Sequence, residues 1–189
     1  MEKFRNKYRI PSSRLAGWDY NRPGFYFITI CTKNRCHFFG EIIKEEMRLT
    51  ETGIIANTCW VAIPGHFNHT TLGEFVIMPN HMHGIIIIDK PAISAGTAVE
   101  TTHAVETTHA LSLQSSTHPR FRNPGKNTIS SMVGSFKSAV TKLSRSIHPA
   151  FGWQTRFYDH IIRNKDSYYQ VSNYILNNPA NWNKDKFYR

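Results

Sequence analysis

The chain is expected to fold as an α+β protein, a ferredoxin-like antiparallel sheet with helices packed on it. Three observations predict this. Apolar runs of strand length and stretches of helical periodicity follow one another in the order β-α-β-β-α-β-α. Two of the apolar runs are neighbours split only by Pro79-Asn80, the tight connection that antiparallel strands require. The length, 189 residues, suits one core-bearing domain better than two.

The elements are justified in order. Pro23-Gly-Phe-Tyr-Phe-Ile-Thr-Ile-Cys-Thr32 is aromatic and β-branched after a proline start, which reads as the first core strand. From Thr50 to Ile63 the apolar residues Ile54, Ile55, Cys59, Trp60 and Ile63 recur at helical spacing, with Thr50 or Thr52 as cap and Pro64-Gly65 as stop. Leu72 to Met78 and His81 to Asp89 form the next two strands. The second is expected at the centre of the sheet, because apolar residues on both of its faces imply cover on both.

Regular pattern returns at Asn127. Ile129, Met132, Val133, Phe136, Val140, Leu143 and Ile147 follow the i, i+3, i+4, i+7 rule, while Ser130, Lys137, Ser138, Lys142 and Arg145 lie largely off that stripe. The second helix therefore has a basic outer surface. Gly152 to Arg163 has a strand-like middle, and Asp166 is expected to cap a final helix that runs to about Asn178 and stops at Pro179.

Between about 91 and 125 periodicity vanishes and Ser, Thr, Pro and Gly dominate. A tandem repeat, Val99-Glu-Thr-Thr-His-Ala104 followed by Val105-Glu-Thr-Thr-His-Ala110, lies inside this stretch. Two copies are too few and too short for a solenoid, so the segment reads as a mobile surface insertion, and His103 and His109 as incidental. The expected organisation is a basic N-terminal segment, 1–20, one domain over 21–182 with the insertion at about 91–125, and a tail at 183–189.

Composition excludes several classes. No apolar run approaches the roughly 18 residues of a membrane span, so no membrane partner is expected. The N-terminus is basic but lacks the apolar stretch of a signal peptide, and the three cysteines, Cys31, Cys36 and Cys59, contain no C-x-x-C. A cytoplasmic protein with reduced cysteines is the expectation. The net charge of +10 is segregated: residues 1–35 hold eight bases against Glu2 and Asp19, and 107–158 hold seven bases and no acid. The stretch between them, 36–106, holds eight acids and three bases. Basic segments interleaved with aromatics point to a polyphosphate partner, of which nucleic acid is the commonest, against the plainer alternative of a solvated surface.

The chemistry concentrates at His81-Met82-His83. Strand side chains alternate, so positions 81 and 83 face the same way about 6.5 Å apart and could grip one ion. Such a pair also arises by chance in a chain with 10 histidines. Its position at the head of Ile85-Ile86-Ile87-Ile88 gives the metal reading its weight, because semi-buried imidazoles need a partner. In the final helix Tyr174 and Asn178 stand four apart, one turn from each other, although by pattern alone a core tyrosine with its hydroxyl at the rim is the favoured reading of the first and a helix-end asparagine fits the second equally well.

Met78-Pro-Asn-His-Met-His-Gly84, Trp153-Gln-Thr-Arg-Phe-Tyr-Asp-His-Ile-Ile-Arg163 and Tyr174-Ile-Leu-Asn-Asn-Pro179, in this order, resemble the ordered motifs of REP-associated tyrosine transposases, within the single-tyrosine HUH transposases. The opening from Arg14 to Thr32 is similar too, and the resemblance spans about residues 14 to 182 apart from the insertion. It implies an HUH motif on a central strand with His81 and His83 as metal ligands, Tyr174 as nucleophile on the C-terminal helix, and Asn178 as third ligand, in a position where related enzymes often place glutamine. Asp159 and His160 fall in one of these motifs without an assigned chemical step.

The implied activity is that of a DNA nickase and strand-transferase acting on single-stranded DNA with palindromic or hairpin repeats, through a 5′-phosphotyrosine intermediate. Mg²⁺ or Mn²⁺ is the implied cofactor, nitrogen ligands tilting the choice toward Mn²⁺. No nucleotide cofactor is expected, since G-x-x-x-x-G-K-[ST] is absent and the covalent link conserves the phosphodiester energy. DNA contacts are expected from Arg5, Lys7, Arg9, Arg14, Lys137, Lys142 and Arg156, with Tyr8, Trp18 and Tyr20 stacking bases. A non-catalytic nucleic-acid-binding module, or a metal hydrolase with no covalent step, fits the same residues. Monomer and homodimer remain equally open.

Overall fold

A computed structural model describes residues 3–4, 7–8, 15, 18–89 and 127–188. Arg5, Arg9, Arg14 and the insertion with its repeat lie outside the described residues. Two two-residue strands, β1 (Lys3–Phe4) and β2 (Lys7–Tyr8), pair antiparallel, so Lys7 is placed by its backbone alone.

The main sheet has four strands: β3 (Gly24–Cys31), β6 (Thr70–Met78), β7 (His81–Ile88) and β8 (Tyr158–Ile162). Their spatial order is β6-β7-β3-β8, with every neighbouring pair antiparallel. The histidine strand β7 is therefore central, as its two-sided apolarity predicts. Helices α1 (Glu51–Val61) and α3 (Ile129–Ser144) cover one face. Tyr26, Ile28, Ile30, Met82 and Ile86 from the strands meet Trp60, Met132, Phe136 and Val140 there in the principal core. Helix α4 (Lys165–Leu176) covers part of the other face, where Ile85, Ile162 and Ile175 form a smaller cluster.

Several local expectations need correction. Thr50 caps α1 through a hydrogen bond from Gly53 N at 3.2 Å, whereas Thr52 is buried within the helix. The buried face of α1 is Thr52, Gly53, Ala56 and Trp60, and Ile54 is exposed, because Gly53 lets the helix approach the Phe39 carbonyl too closely for any side chain. Pro64-Gly65 does not end α1 but sits in a separate turn, α2 (Ile63–His66), where an early proline costs no hydrogen bond. Asn164, not Asp166, caps α4, accepting from Ser167 N at 2.8 Å. Its extended backbone suits the cap, and Asp166 stays in the first turn, where the helix dipole favours a negative charge.

The stripe of α3 ends early, with Leu143 and Ile147 half-exposed. A hairpin of β4 (Gly40–Ile43) and β5 (Glu46–Leu49) was not foreseen. Its turn residues Lys44 and Glu45 both adopt positive φ, at 51° and 66°, without the Asn or Gly that usually announces such a turn. Trp18 and Tyr20, expected to stack bases, pack against the principal core, the Trp18 indole donating to the Tyr26 hydroxyl at 3.3 Å. Among the described residues no helix is long and apolar enough to cross a membrane.

Candidate active site

Strand alternation places His81, His83 and Ile85 on the α4 side of β7, and Met82, Gly84 and Ile86 in the principal core. Gly84 holds the strand close to α1: a Cβ there would lie 2.4 Å from Trp60 Cζ2. Both imidazoles are buried, and their Nε2 atoms stand 3.1 Å apart.

The ring orientations are set from behind. Asn80, fully buried, donates its amide Nδ2 to the Phe187 carbonyl at 2.9 Å, so its Oδ1 faces His81 Nδ1 at 2.9 Å. A carbonyl oxygen only accepts, so Nδ1 of His81 carries the proton and its Nε2 lone pair is free toward the site. Thr29 Oγ1, 2.8 Å from Nδ1 of His83, can hold that ring in the same tautomer. Burial, then the nearby Lys186 and Arg35, drives His81 down to about 3, and burial with the His81 charge keeps His83 well below the ordinary range. Both are neutral at physiological pH, the form in which an imidazole can ligate a metal.

Tyr174, on α4, reaches the same point. Its hydroxyl is 3.2 Å from His83 Nε2 and donates to Asp185 Oδ2 at 3.3 Å. It is partly exposed, and burial together with the Asp185 charge pushes its phenol up to about 12. Residues beyond Pro179, set apart in the sequence as a tail from 183, fold back over the histidines. Trp182 stacks at 5.9 Å from the His81 ring and Phe187 lies 4.4 Å from it. This brings in Asp185, whose carboxylate joins His81 and His83 with all three candidate ligand atoms within 4.8 Å of one another.

Asn178 stands behind that carboxylate, donating its Nδ2 to Asp185 Oδ2 at 3.0 Å. Its own Oδ1 is buried without a hydrogen-bond partner among the described residues. Asp185 and Asn80 are the residues that sequence reading missed. Nothing in Asn183-Lys184-Asp185-Lys186 marks one acid as special, whereas Asn80 adjoins the histidines and stands in the Met78–Gly84 motif, where the sequence gives it no role beyond a break between strands.

The remaining candidates are dispersed. Lys137 and Lys142 lie on α3 beside Arg145 and Trp153, in a shallow groove on the opposite layer. Lys137 donates to the Gln154 carbonyl and sits 5.9 Å from the Trp153 ring, while Arg156 is exposed. On β8, Asp159 is buried opposite Ile28, and His160 is exposed opposite Phe27.

The donor set suits a divalent cation. Adjacent nitrogens of an octahedral site at about 2.1 Å from the ion lie about 3.0 Å apart, close to the separation of the two imidazoles. Two neutral imidazoles and a carboxylate also form the mixed set that Mn²⁺ and its neighbours accept.

No protein-family model matches the chain. It is 40% identical over 178 residues to an uncharacterized protein of Haemophilus influenzae (strain ATCC 51907 / DSM 11121 / KW20 / Rd), covering 94% of this chain and 92% of that protein. Among solved structures, that of a REP-associated tyrosine transposase bound to a REP hairpin is similar with a TM-score of 0.54 at 18% identity, over 98% of this chain and 77% of that one. This likeness is one of fold.

Proposed function

The chain belongs to the same family as the uncharacterized Haemophilus influenzae protein, and we propose that it is a metal-dependent single-stranded DNA nickase and strand-transferase of the HUH transposase class on a ferredoxin-like sheet. One observation carries this reading: a partly exposed tyrosine hydroxyl stands 3.2 Å from a histidine that pairs with a second histidine and a carboxylate. A rim tyrosine with only a packing role has no need of that neighbourhood.

His81, His83 and Asp185 would hold the ion, with the orphaned Asn178 Oδ1 as a further oxygen donor. A bound divalent cation supplies positive charge at the scissile phosphate. Tyr174 Oη attacks the phosphorus, its proton passing to Asp185 Oδ2, the acceptor it already faces. The P–O3′ bond breaks, O3′ leaves as a hydroxyl after protonation from solvent, and the strand stays attached as a 5′-phosphotyrosine. The reverse reaction with another 3′-hydroxyl reseals it. Phe187 and Trp182 by packing, and Asn80 and Thr29 by hydrogen bonds to Nδ1, keep the imidazoles aligned.

Single-stranded DNA with hairpins is the proposed substrate, since the solved transposase of similar fold is bound to a REP hairpin. The test is incubation with single-stranded hairpin oligonucleotides and Mn²⁺, followed by denaturing electrophoresis. A covalent protein-DNA adduct that Tyr174→Phe abolishes supports the proposal. Metal-dependent cleavage with no adduct in the native chain would assign a hydrolase instead.

A further inference from the structure

Helix α4 packs mainly against β6 and also covers Ile162 at the far end of β8, leaving Tyr158 and His160 at the near end of that strand exposed. Aromatic side chains are exposed on this face. Phe25 and Tyr158 are 41% and 46% exposed, unusual for rings on a sheet face. Beside the site, a concavity is lined by Phe27, His83, Tyr158, Tyr174 and, from the returning segment, Lys184, Asp185 and Lys186. Resting on the transferase reading, we propose that this concavity is a nucleotide subsite: it takes one unstacked base adjoining the scissile phosphate, with the neighbouring phosphate on Lys184 and Lys186.

The geometry suits a base and a phosphate together. Phe27 forms the floor, stacked on His83 at 5.3 Å and edge-on to Tyr174 at 6.2 Å. Tyr158 stands as a wall, its ring 6.4 Å from Phe27 and inclined at 73°. The two rings meet roughly at right angles, Tyr158 is 46% exposed, and every nucleobase has a π-face to offer such a ring. The Lys186 ammonium lies 5.7 Å from the Tyr158 ring, so a positive charge sits at the rim where a backbone phosphate of a stacked nucleotide would run. An apolar peptide would use the rings and leave two lysines uncompensated. Tyr174 and His83 line the same hollow, so the subsite adjoins the proposed reacting group.

Fluorescence anisotropy with a labelled oligothymidylate, and with the same strand made abasic throughout, tests this as a cycle. The native chain should bind the oligothymidylate, and Tyr158→Ala should weaken that binding about tenfold while changing affinity for the abasic strand less than about twofold. Tyr158→Phe should restore the oligothymidylate affinity, and Lys186→Ala should weaken both strands alike. Equal effects of Tyr158→Ala on the two strands, or no binding of the oligothymidylate by the native chain, would overturn the subsite. Adduct formation by Tyr174 is read separately on a covalent bond, so a failed transferase reading leaves this binding cycle interpretable.

Discussion

Asp185 Oδ2 accepts the Tyr174 hydroxyl at 3.3 Å, and that one contact ties helix α4 to the segment that returns across the histidine pair. The same oxygen takes the Asn178 amide at 3.0 Å, while Oδ1 takes the backbone N–H of Phe187. A single carboxylate therefore fixes the tyrosine, the end of its helix and the ring that covers His81.

Tyr174→Phe removes the hydroxyl and little else. It should abolish covalent attachment to single-stranded hairpin DNA, a loss of more than about a hundredfold, with Mn²⁺ affinity by calorimetry within about twofold of native. An adduct formed by the Phe variant would move the nucleophile elsewhere.

Asp185→Asn keeps the shape of the side chain and removes its charge. Mn²⁺ affinity should fall about tenfold or more, read by titration calorimetry or electron paramagnetic resonance. In the metal-free protein the Tyr174 phenol should drop from about 12 toward its ordinary value, since the Asp185 charge helps to raise it. Ultraviolet titration against Tyr174→Phe isolates this group. An unchanged metal affinity would remove Asp185 from the ligand set.

The buried histidines make a pH prediction. Burial lowers their folded-state values, His81 to about 3, so between there and the unfolded value of about 6.5 the unfolded chain binds more protons. Stability of the metal-free protein is thus fully present above about pH 6.5 and falls as pH drops through that window. Each histidine should contribute up to about 1.4 kcal/mol per pH unit. Urea unfolding at several pH values measures the slope, and His81→Asn should flatten it. A native slope of zero between pH 6 and 4 would contradict the neutral buried pair.

Gly84→Ala tests the close approach behind His83. The added methyl meets Trp60 at 2.4 Å, in a packed core where nothing yields cheaply. The variant should lose about 1–3 kcal/mol in denaturant unfolding. Gly65→Ala, where no atom lies within 4 Å, should change stability by less than about 0.5 kcal/mol, as is usual away from packed sites.

Much of the frame was legible because it depends on apolar pattern. The continuous apolar runs on either side of Pro79-Asn80 located β6 and β7, and the stripe from Ile129 to Val140 located α3. The hairpin around Lys44-Glu45 escaped because positive φ at ordinary residues is a tertiary compromise with no sequence mark. The cap of α4 slipped by two residues because Asn164 and Asp166 are both good caps and only backbone geometry separates them.

By itself, the sequence determined that His81 and His83 share one side of a central strand, since a two-residue period in an extended chain leaves no alternative, and that Tyr174 lies on the final helix, although that helix stops at Leu176 and leaves Asn178 in the turn beyond it. Only the tertiary structure decided what meets them. Asp185 enters because Trp182 and Phe187 bury their rings against His81, carrying the acid between them onto the tyrosine, and Asn80 becomes the tautomer-setting partner because Phe187 presents a carbonyl to it. Such contacts join residues about a hundred positions apart. They are settled by which apolar surfaces pack together, and no local pattern encodes that.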